Sequence, residues 1–564
     1  MVFMANNTRG SAAYLIAAAV ACWAWASPAG AAKSLPGGDA WDFRNETIYF
    51  VMTDRFADGD TANNNIYGDE YQPGNLKYYQ GGDFRGLIAN LDHIQNMGFT
   101  AIWITPPVMQ PPGRYLNLDG SYDAAGYHGY WGWDFSRIDP HLESKGAAYA
   151  DLIRAAHARG MKIIQDVVPN HAHGGYVSPS VQWYSRKGQA FGLGRMFDYD
   201  ADRQGWFNHS GPVIADLLDF NEDNPATVKW LIDIYKGYQN MGVDAFRIDT
   251  VIWMKPEFWK NFTAEMHRNK KDFFMFGEAW TNDDFNLLAG YTRLAEGDAM
   301  NSAMSVLDMP GSSMGAWGQF EAVFKGGDYS RVDAVLSQDA RYKDATYLVT
   351  YLDNHDKPRF NGAGEGTPAV AEQYVDALNF YFTARGIPCV YYGTEVQMAG
   401  GNDPDNRRYL GLEGIKAARS NPVYLHLKKL NAVRRASPAL QKGVQTRLYA
   451  ARHQYAFKRE YKGETVFVFL NKDGSSAEVS LEGMPAGSYT DLFFGQTFST
   501  AGRKFSVKIP PHGARALTRG LINGRPWELP GAGDYKFPQI QTADFNTAAD
   551  TRAAEEEIDK LLLP

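Results

Sequence analysis

Residues 241–253 (MGVDAFRIDTVIW) place an arginine and an aspartate where the two could act together in chemistry. Residues 243–248 are apolar except for Asp244 and Arg247, which predicts a buried strand with Asp249 at its carboxyl end. Side chains alternate along a strand, so Arg247 and Asp249 point to the same side. A guanidinium beside a carboxylate favours the ionised form, which suits a nucleophile, although a purely structural ion pair would have the same pattern.

Three further apolar stretches end in polar side chains in the same way. They are residues 161–171 with Asp166, Asn170 and His171, residues 273–280 with Glu278, and residues 347–356 with Asp353, His355 and Asp356. The carboxyl ends of parallel strands meet at one face of a barrel, which is where barrel enzymes hold their catalytic residues. We therefore predict that these side chains meet at one face of a parallel barrel, which a lone structural ion pair would not require.

The segments DVVPNH (166–171), FRID (246–249), GEAW (277–280) and LDNHD (352–356) resemble, in this order, the four short signatures of the α-amylase family, glycoside hydrolase family 13. The resemblance covers roughly residues 40–520 and implies an α/β fold. That fold is a (β/α)8 TIM barrel with an irregular domain B inserted after strand 3 and a C-terminal antiparallel β-sandwich. The expected ranges are 40–436 for the barrel, 171–225 for domain B, 437–518 for the sandwich and 519–564 for a tail of unknown role.

The resemblance also implies roles for the polar residues of that face. Asp249 would be the nucleophile, Glu278 the general acid and Asp356 the residue that holds sugar hydroxyls, in a retaining mechanism with carboxyl groups about 5–5.5 Å apart. The implied substrate contacts are His128, Tyr130, His171, Arg247, Trp280, His355, Asp403 and Arg407. The implied substrate is an α-1,4-linked glucan such as starch or maltodextrin.

Three positions depart from the patterns of related enzymes. The family usually has Lys and His three and four residues after the nucleophile, where this chain has Ile252 and Trp253. Cyclodextrin glycosyltransferases usually carry a large aromatic residue where this chain has Ala215, and they continue into further domains, for which the residues after Thr518 leave no room. We therefore expect hydrolysis, with a cyclodextrin glycosyltransferase or a cyclomaltodextrinase-like enzyme as the alternatives.

Oxygen-bearing side chains crowd the turn that follows the first predicted strand. Calcium takes about six to eight oxygen ligands, although such turns are also common without metal. The pattern is similar to the N-terminal calcium site of cyclodextrin glycosyltransferases, with the ligands Asp58, Asp60, Asn63, Asn64, the Gly81 carbonyl and Asp83. A second implied Ca²⁺ would join domain B to the barrel through Asn170, Asp219 and the Trp253 carbonyl.

The N-terminus has the pattern of an export signal. An apolar run over residues 12–26 precedes a small-x-small site at 29–31, so we predict a signal peptide over residues 1–31 and a secreted protein. Lipid attachment at Cys22 is the alternative, and Cys389 would be the one thiol of the mature chain. A net charge of −8 argues against a nucleic-acid partner. No other apolar run is long enough to span a membrane. We expect the protein to be a monomer.

Overall fold

A closed ring of parallel strands carries the predicted catalytic residues. In the computed structural model the described residues are 42–116, 123–173, 189–190, 196–197, 202, 205–209, 214, 217–281, 284–294, 304–309, 319–362 and 371–519. The strands are β1 Ile48–Val51, β2 Ala101–Ile104, β3 Lys162–Val167, β4 Ala245–Ile248, β5 Phe274–Gly277, β6 Ser305–Val306, β7 Val349–Tyr351 and β8 Ile387–Tyr391.

The order of these strands along the sheet is β6-β5-β4-β3-β2-β1-β8-β7. A parallel bridge between Leu307 and Val349 joins the two ends, so the sheet closes into a barrel. All residues of β1, β2, β4 and β5 are buried, which is why these strands are continuous apolar runs in the sequence. The predicted TIM barrel is confirmed.

Helices cover the outside of the barrel. They are α1 Phe84–Ala89, α2 Leu91–Asn96, α3 Tyr149–Ala158, α4 Pro225–Met241, α5 Pro256–Asn269, α6 Phe285–Tyr291, α7 Gln319–Phe324, α8 Ser330–Leu336, α9 Ala371–Thr383, α10 Gly411–Ala418, α11 Pro422–Ala436 and α12 Pro438–Lys442. The sequence of residues 84–97 has apolar residues at helical spacing and predicts one helix. The structure has two short helices there, α1 and α2, with Asn90 between them. The Asn90 amide donates to the Gly86 carbonyl at 2.8 Å, and such a bond competes with the backbone hydrogen bonds of a continuous helix.

The C-terminal region is an antiparallel sandwich, as predicted. Its strands are β9 Val444–Ala450, β10 Gln454–Tyr461, β11 Glu464–Asn471, β12 Ala477–Glu482, β13 Gly487–Asp491, β14 Thr497–Thr500, β15 Lys504–Ile509 and β16 Gly513–Thr518. One sheet has the order β9-β10-β11-β16-β13-β14, and β12 pairs with β15. Alternate side chains meet in one core that includes Phe467, Phe469, Val507, Ile509 and Leu517.

Several predictions fall on residues outside the described part of the chain. These are the signal peptide with Cys22, Ala215, most of domain B and residues 520–564 of the tail. Of domain B, the structure shows His171–Ala172 paired antiparallel with Leu218–Asp219. Within the described ranges, no helix is long and apolar enough to cross a membrane.

A buried charge network joins the loop after β1 to the connection between β2 and α3. His141 contacts Glu70 through Nε2 at 3.2 Å and Asp139 through Nδ1 at 2.7 Å, and Glu70 is fully buried. The Tyr79 ring stacks on His141 with the centroids 3.9 Å apart. Burial lowers the pKa of His141, but Asp139 and Glu70 outweigh burial and raise that pKa from 6.5 to about 9.

Replacing His141 with glutamine should therefore remove a stabilisation that depends on pH. Because the folded-state pKa lies above the unfolded-state value, the proton stabilises the fold fully below about pH 6.5, and this contribution is lost as the pH rises through about 9. The shift corresponds to roughly 3 kcal/mol. The difference in unfolding free energy between wild type and His141→Gln, measured with urea, should be largest near pH 6 and shrink toward pH 9. A difference that does not change with pH would contradict this assignment.

Candidate active site

Arg247 on β4 lies at the centre of the site and is fully buried. Its Nη1 donates to Asp249 Oδ1 at 2.7 Å and to Asp166 Oδ1 at 2.9 Å. Its Nη2 lies 2.7 Å from Glu278 Oε1. One guanidinium thus contacts carboxyl groups that belong to three neighbouring strands, β3, β4 and β5.

Strand register explains how these groups meet. Arg247 lies directly opposite Asp166 in the pairing of β4 with β3. The backbone N–H groups of Asp249 and Glu278 extend the ladder beyond the strand ends, with bonds to the last residues of β3 and β4 at 2.9 and 2.8 Å. The carboxyl groups are therefore fixed by the barrel itself rather than by loops, which gives them a defined spacing.

The site has more carboxyl groups than cations. Burial raises the pKa of Asp249 well above its usual value, Arg247 opposes this, and Glu278 and Asp166 add to it. Burial also raises the pKa of Asp166 to about 6. Arg247 favours the ionised form of Asp249, and burial acts in the opposite direction. Such closely placed carboxyl groups titrate as a unit, and a retaining glycosidase needs one protonated and one ionised carboxyl group.

An aromatic group lies beside the carboxyl cluster. The Tyr130 hydroxyl donates to Asp166 Oδ2 at 2.7 Å, and its ring stacks on His355 at 5.1 Å and 14°. The His128 ring lies 5.9 Å from Tyr130 at 22°, and Nε2 of His171 lies 3.2 Å from the Tyr130 carbonyl oxygen. Burial lowers the pKa of His128 and His355 well below 6.5 and that of His171 to about 4. Neutral imidazoles carry one donor and one acceptor nitrogen, which suits the binding of sugar hydroxyls.

Arg407 connects the residues that follow β7 and β8. Its Nη2 lies 3.4 Å from Asp356 Oδ1, and its Nη1 lies 2.9 Å from Asp403 Oδ1. Its Nε donates to the His355 carbonyl at 2.9 Å. Asp356 keeps 26% of its side chain exposed and Asp403 keeps 50%, so both carboxyl groups can reach a bound sugar.

Three residues of the site received no role from the sequence. Trp103 Nε1 donates to Asp166 Oδ2 at 3.1 Å, so Asp166 accepts from three side chains. The Tyr127 hydroxyl accepts from Arg407 Nη1 at 3.3 Å, and the Arg55 guanidinium lies 3.8 Å from the Tyr127 ring centroid. The sequence places Asp166 at this face of the barrel, because it lies at the end of a buried strand, but assigns it no role. Trp103 and Tyr127 carry no such signal.

The residues predicted to hold the first calcium ion are gathered in one place. Asp58 Oδ1, Asn63 Oδ1 and Asn64 Oδ1 are buried and have no hydrogen-bond partner. Asn64 Nδ2 donates to Asp58 Oδ2 at 2.7 Å, and a Cβ on Gly81 would lie 2.8 Å from that oxygen. Burial raises the pKa of Asp83, and Asp58 adds to this effect. Orphaned oxygens in a negatively charged turn fit a hard cation.

Asp60, the sixth predicted ligand, is engaged elsewhere. It accepts from the Ala62 N–H at 3.2 Å and lies 3.6 Å from Arg85. Within the described residues, no group of three or more His, Cys, Asp or Glu side chains could hold a metal. A calcium site would therefore depend on the amide and carbonyl oxygens as well as the carboxylates.

The second predicted calcium site is partly assembled. Asn170 Oδ1 is buried without a partner, and Asp219 lies opposite His171 in the adjoining pair of strands. Burial, with Glu222, raises the pKa of Asp219 to about 7, an effect that a bound cation would reverse. Trp253 ends a 3₁₀-helix after Asp249, and its carbonyl remains the third predicted ligand.

Paired carboxyl groups at the carboxyl ends of barrel strands, beside ring-stacking and hydroxyl-binding side chains, define a glycoside hydrolase of the TIM-barrel class. The model of the α-amylase catalytic domain matches residues 50–411, and that of the maltogenic amylase C-terminal domain matches residues 446–515. The chain belongs to the α-amylase family, glycoside hydrolase family 13.

Relatives with different activities are similar to this chain. An α-amylase of Niallia circulans is 31% identical over 83% of this chain and 88% of that enzyme. A cyclomaltodextrin glucanotransferase of Thermoanaerobacterium thermosulfurigenes is 32% identical over 83% of this chain and 66% of that enzyme. A β/α-amylase of Paenibacillus polymyxa is 33% identical over 83% of this chain, which spans only 36% of that enzyme's length.

Solved structures also include both activities. The three-domain cyclomaltodextrin glucanotransferase CldA has a TM-score of 0.73 and 29% identity, over 84% of this chain and 99% of that chain. An α-amylase from Anoxybacillus has a TM-score of 0.70 and 28% identity, over 85% of this chain and 98% of that chain. CldA is a glucanotransferase with three domains, so the expectation that a glucanotransferase continues into further domains is wrong.

Arg247→Lys should strongly reduce activity although it keeps the positive charge. An ammonium group cannot contact three carboxyl groups in the planar arrangement of a guanidinium. We expect kcat to fall about a hundredfold or more, measured as reducing ends released from soluble starch. The matched control is Arg159→Lys, because Arg159 pairs with Asp92 at the surface and should be replaceable. Equal activity of the two variants would contradict the central position of Arg247.

Proposed function

We propose that this protein is a secreted α-amylase-type endo-hydrolase that cleaves α-1,4-glucosidic bonds in starch and maltodextrins with retention. The observation that carries the proposal is the pair Asp249 and Glu278. Each carboxyl group lies 2.7 Å from the Arg247 guanidinium, Asp249 from Nη1 and Glu278 from Nη2. Retaining glycosidases need two carboxyl groups close together, about 5–5.5 Å apart. Membership of the α-amylase family supports an α-glucan as the substrate.

In the first step, Asp249 attacks the anomeric carbon while Glu278 protonates the leaving oxygen. Arg247 orients both carboxyl groups for these roles. The products are a covalent glycosyl ester on Asp249 and a free sugar hydroxyl. In the second step, Glu278 takes a proton from water, which attacks the ester and releases the sugar with its original configuration.

The sugar that is cleaved would lie against the Tyr130 ring, next to the carboxyl pair. His355 supports Tyr130 from one side through the stacked contact. Asp356 would hold hydroxyl groups and favour the positive charge that develops on the ring, because it lies in the same site and Arg407 fixes its orientation. The neutral histidines would donate hydrogen bonds to the sugar hydroxyls. Because they carry no positive charge, they would not repel the positive charge that develops on the sugar ring.

A cyclodextrin glycosyltransferase is the second candidate, and the similarity to CldA favours it. Ile252 and Trp253 favour hydrolysis, because they offer no charged group to hold an incoming sugar hydroxyl in place of water. A cyclomaltodextrinase-like hydrolase is the third candidate. Chromatography of the products separates the three. Linear maltooligosaccharides from the first minutes would support the α-amylase. Early cyclodextrins would support the glycosyltransferase, and faster cleavage of β-cyclodextrin than of starch would support the cyclomaltodextrinase-like hydrolase.

We also propose two bound Ca²⁺ ions, export through the signal peptide 1–31, and a monomer. The orphaned oxygens of Asp58, Asn63, Asn64 and Asn170 support the calcium sites. Bound calcium would supply positive charge that fixes the turn after β1 and joins domain B to the barrel. Lipid attachment at Cys22 is the alternative to free secretion.

Asp249→Asn tests the proposed nucleophile. Without the carboxylate no glycosyl ester forms, so the rate on soluble starch should fall at least about a thousandfold, while the melting temperature stays within a few degrees. Asp233→Asn is the control, because Asp233 pairs with Lys229 on the surface of α4 and should not affect the rate. If Asp249→Asn keeps more than about a tenth of the wild-type rate, the assignment is wrong.

Calcium should raise the melting temperature, because a ligand that binds only the native state stabilises that state. At a calcium concentration of a hundred times its Kd, the free energy of unfolding rises by about 2.7 kcal/mol. Asn64→Ala and Asn170→Ala should each reduce this increase by removing one orphaned oxygen. Asn75→Ala is the control, since Asn75 lies on the surface of the same loop. The measurement is thermal unfolding after dialysis against chelator, with and without added Ca²⁺. An unchanged melting temperature in wild type would exclude both sites.

A further inference from the structure

The carboxyl group of Asp356 is contacted on both sides, but only at long distances. Its Oδ1 lies 3.4 Å from Arg407 Nη2, and its Oδ2 lies 3.4 Å from His355 Nε2. Hydrogen bonds between charged groups are usually about 2.7–2.9 Å long. Two such long contacts can direct the carboxyl group only if the backbone that carries it is fixed in place.

The side chain of Asn406 holds that backbone on both sides of Asp356. Its Nδ2 donates to the His355 carbonyl at 2.7 Å and to the Lys357 carbonyl at 2.8 Å. A side-chain amide has two N–H groups, so both donors are used. Asn406 is fully buried. Because Asp356 lies between the two bonded carbonyls in the chain, its Cα can move little while both bonds are made.

Asn406 is in turn held at the end of a barrel strand. Its backbone carbonyl accepts from Arg359 Nε at 3.0 Å and from the Tyr391 hydroxyl at 3.4 Å. Tyr391 is the last residue of β8, and Arg359 Nη1 also donates to the Tyr392 carbonyl at 2.7 Å. A clamp that is anchored on a strand positions a side chain more precisely than contacts between loops do.

We propose that Asn406 is a positioning residue, which acts on the reaction through Asp356 and does not touch the substrate. The inference rests on the proposed function, in which Asp356 favours the positive charge that develops on the sugar ring. This charge is present in the transition state and not in the bound substrate, so the position of Asp356 affects kcat more than KM. A displacement of about 1 Å in an active site can reduce the rate about a hundredfold.

The first test compares Asn406→Ala with a matched control in the sandwich, Asn471→Ala. Asn471 is also buried, and its Nδ2 donates to the carbonyls of Ser475 and Pro510 at 2.8 and 2.9 Å. On soluble starch, kcat of Asn406→Ala should fall about ten- to a hundredfold, with KM within about twofold of wild type. Asn471→Ala should lower the melting temperature and leave kcat unchanged. Asn406→Leu keeps most of the side-chain volume and should behave as Asn406→Ala does.

The second test is a double-mutant cycle with Asp356→Asn. The substrate is α-maltosyl fluoride, because fluoride departs readily and slow variants remain measurable. The Asn406→Ala change should reduce kcat about tenfold or more when Asp356 is present, and less than about twofold in the Asp356→Asn background. A residue with a purely structural role would cause the same loss in both backgrounds.

Each outcome supports or overturns the inference. A kcat within about twofold of wild type in both Asn406 variants would overturn it. Equal losses in the two backgrounds of the cycle would also overturn it, because Asn406 would then act independently of Asp356. A wild-type enzyme that hydrolyses neither substrate would overturn the proposed function, and the inference with it. The failure of the inference is thus distinguishable from the failure of the proposed function.

Discussion

The contact of one buried guanidinium with three carboxyl groups is the interaction on which the site depends. Arg247 is fully buried, and Asp166, Asp249 and Glu278 reach it from neighbouring strands. Removing so many charged groups from water is unfavourable unless they are paired, and without Arg247 the three carboxyl groups would lose the partner they share. The rest of the barrel holds these strands in the one register that brings all four side chains together.

The same excess of carboxyl groups explains why the site is poised for acid–base chemistry. Burial and the neighbouring carboxyl groups raise the pKa of Asp249, so the cluster holds a proton to a higher pH than isolated carboxyl groups would. The imidazoles of His128, His171 and His355 stay neutral for the same reason, burial. Charge is therefore concentrated on Arg247 and the carboxyl groups around it, and the three imidazoles nearby are polar but uncharged.

Much of this architecture is predictable from the sequence because strands that are buried on both faces appear as apolar runs. The side chains after such runs, Asp249, Glu278 and Asp356, meet at one end of the barrel because parallel strands all end there. Trp103 and Tyr127 are not predictable in this way, since their partners lie far away in the chain. The direction of the Asp249 pKa is equally hidden, because it depends on how deeply the carboxyl group is buried and on carboxyl groups from other strands, and not on the adjacent Arg247 alone.

The barrel closes at its shortest strand, β6, which has only two residues, and a single bridge from Leu307 to Val349 completes the ring. Glu278 follows the strand on one side of this seam, and Asp356 follows the strand on the other. Arg385 stabilises this closure, because it pairs with the buried Asp308 next to the bridge. The shortest strand of the barrel thus lies between the strands that precede Glu278 and Asp356, so local unfolding there would separate these two carboxyl groups while most of the fold stayed intact.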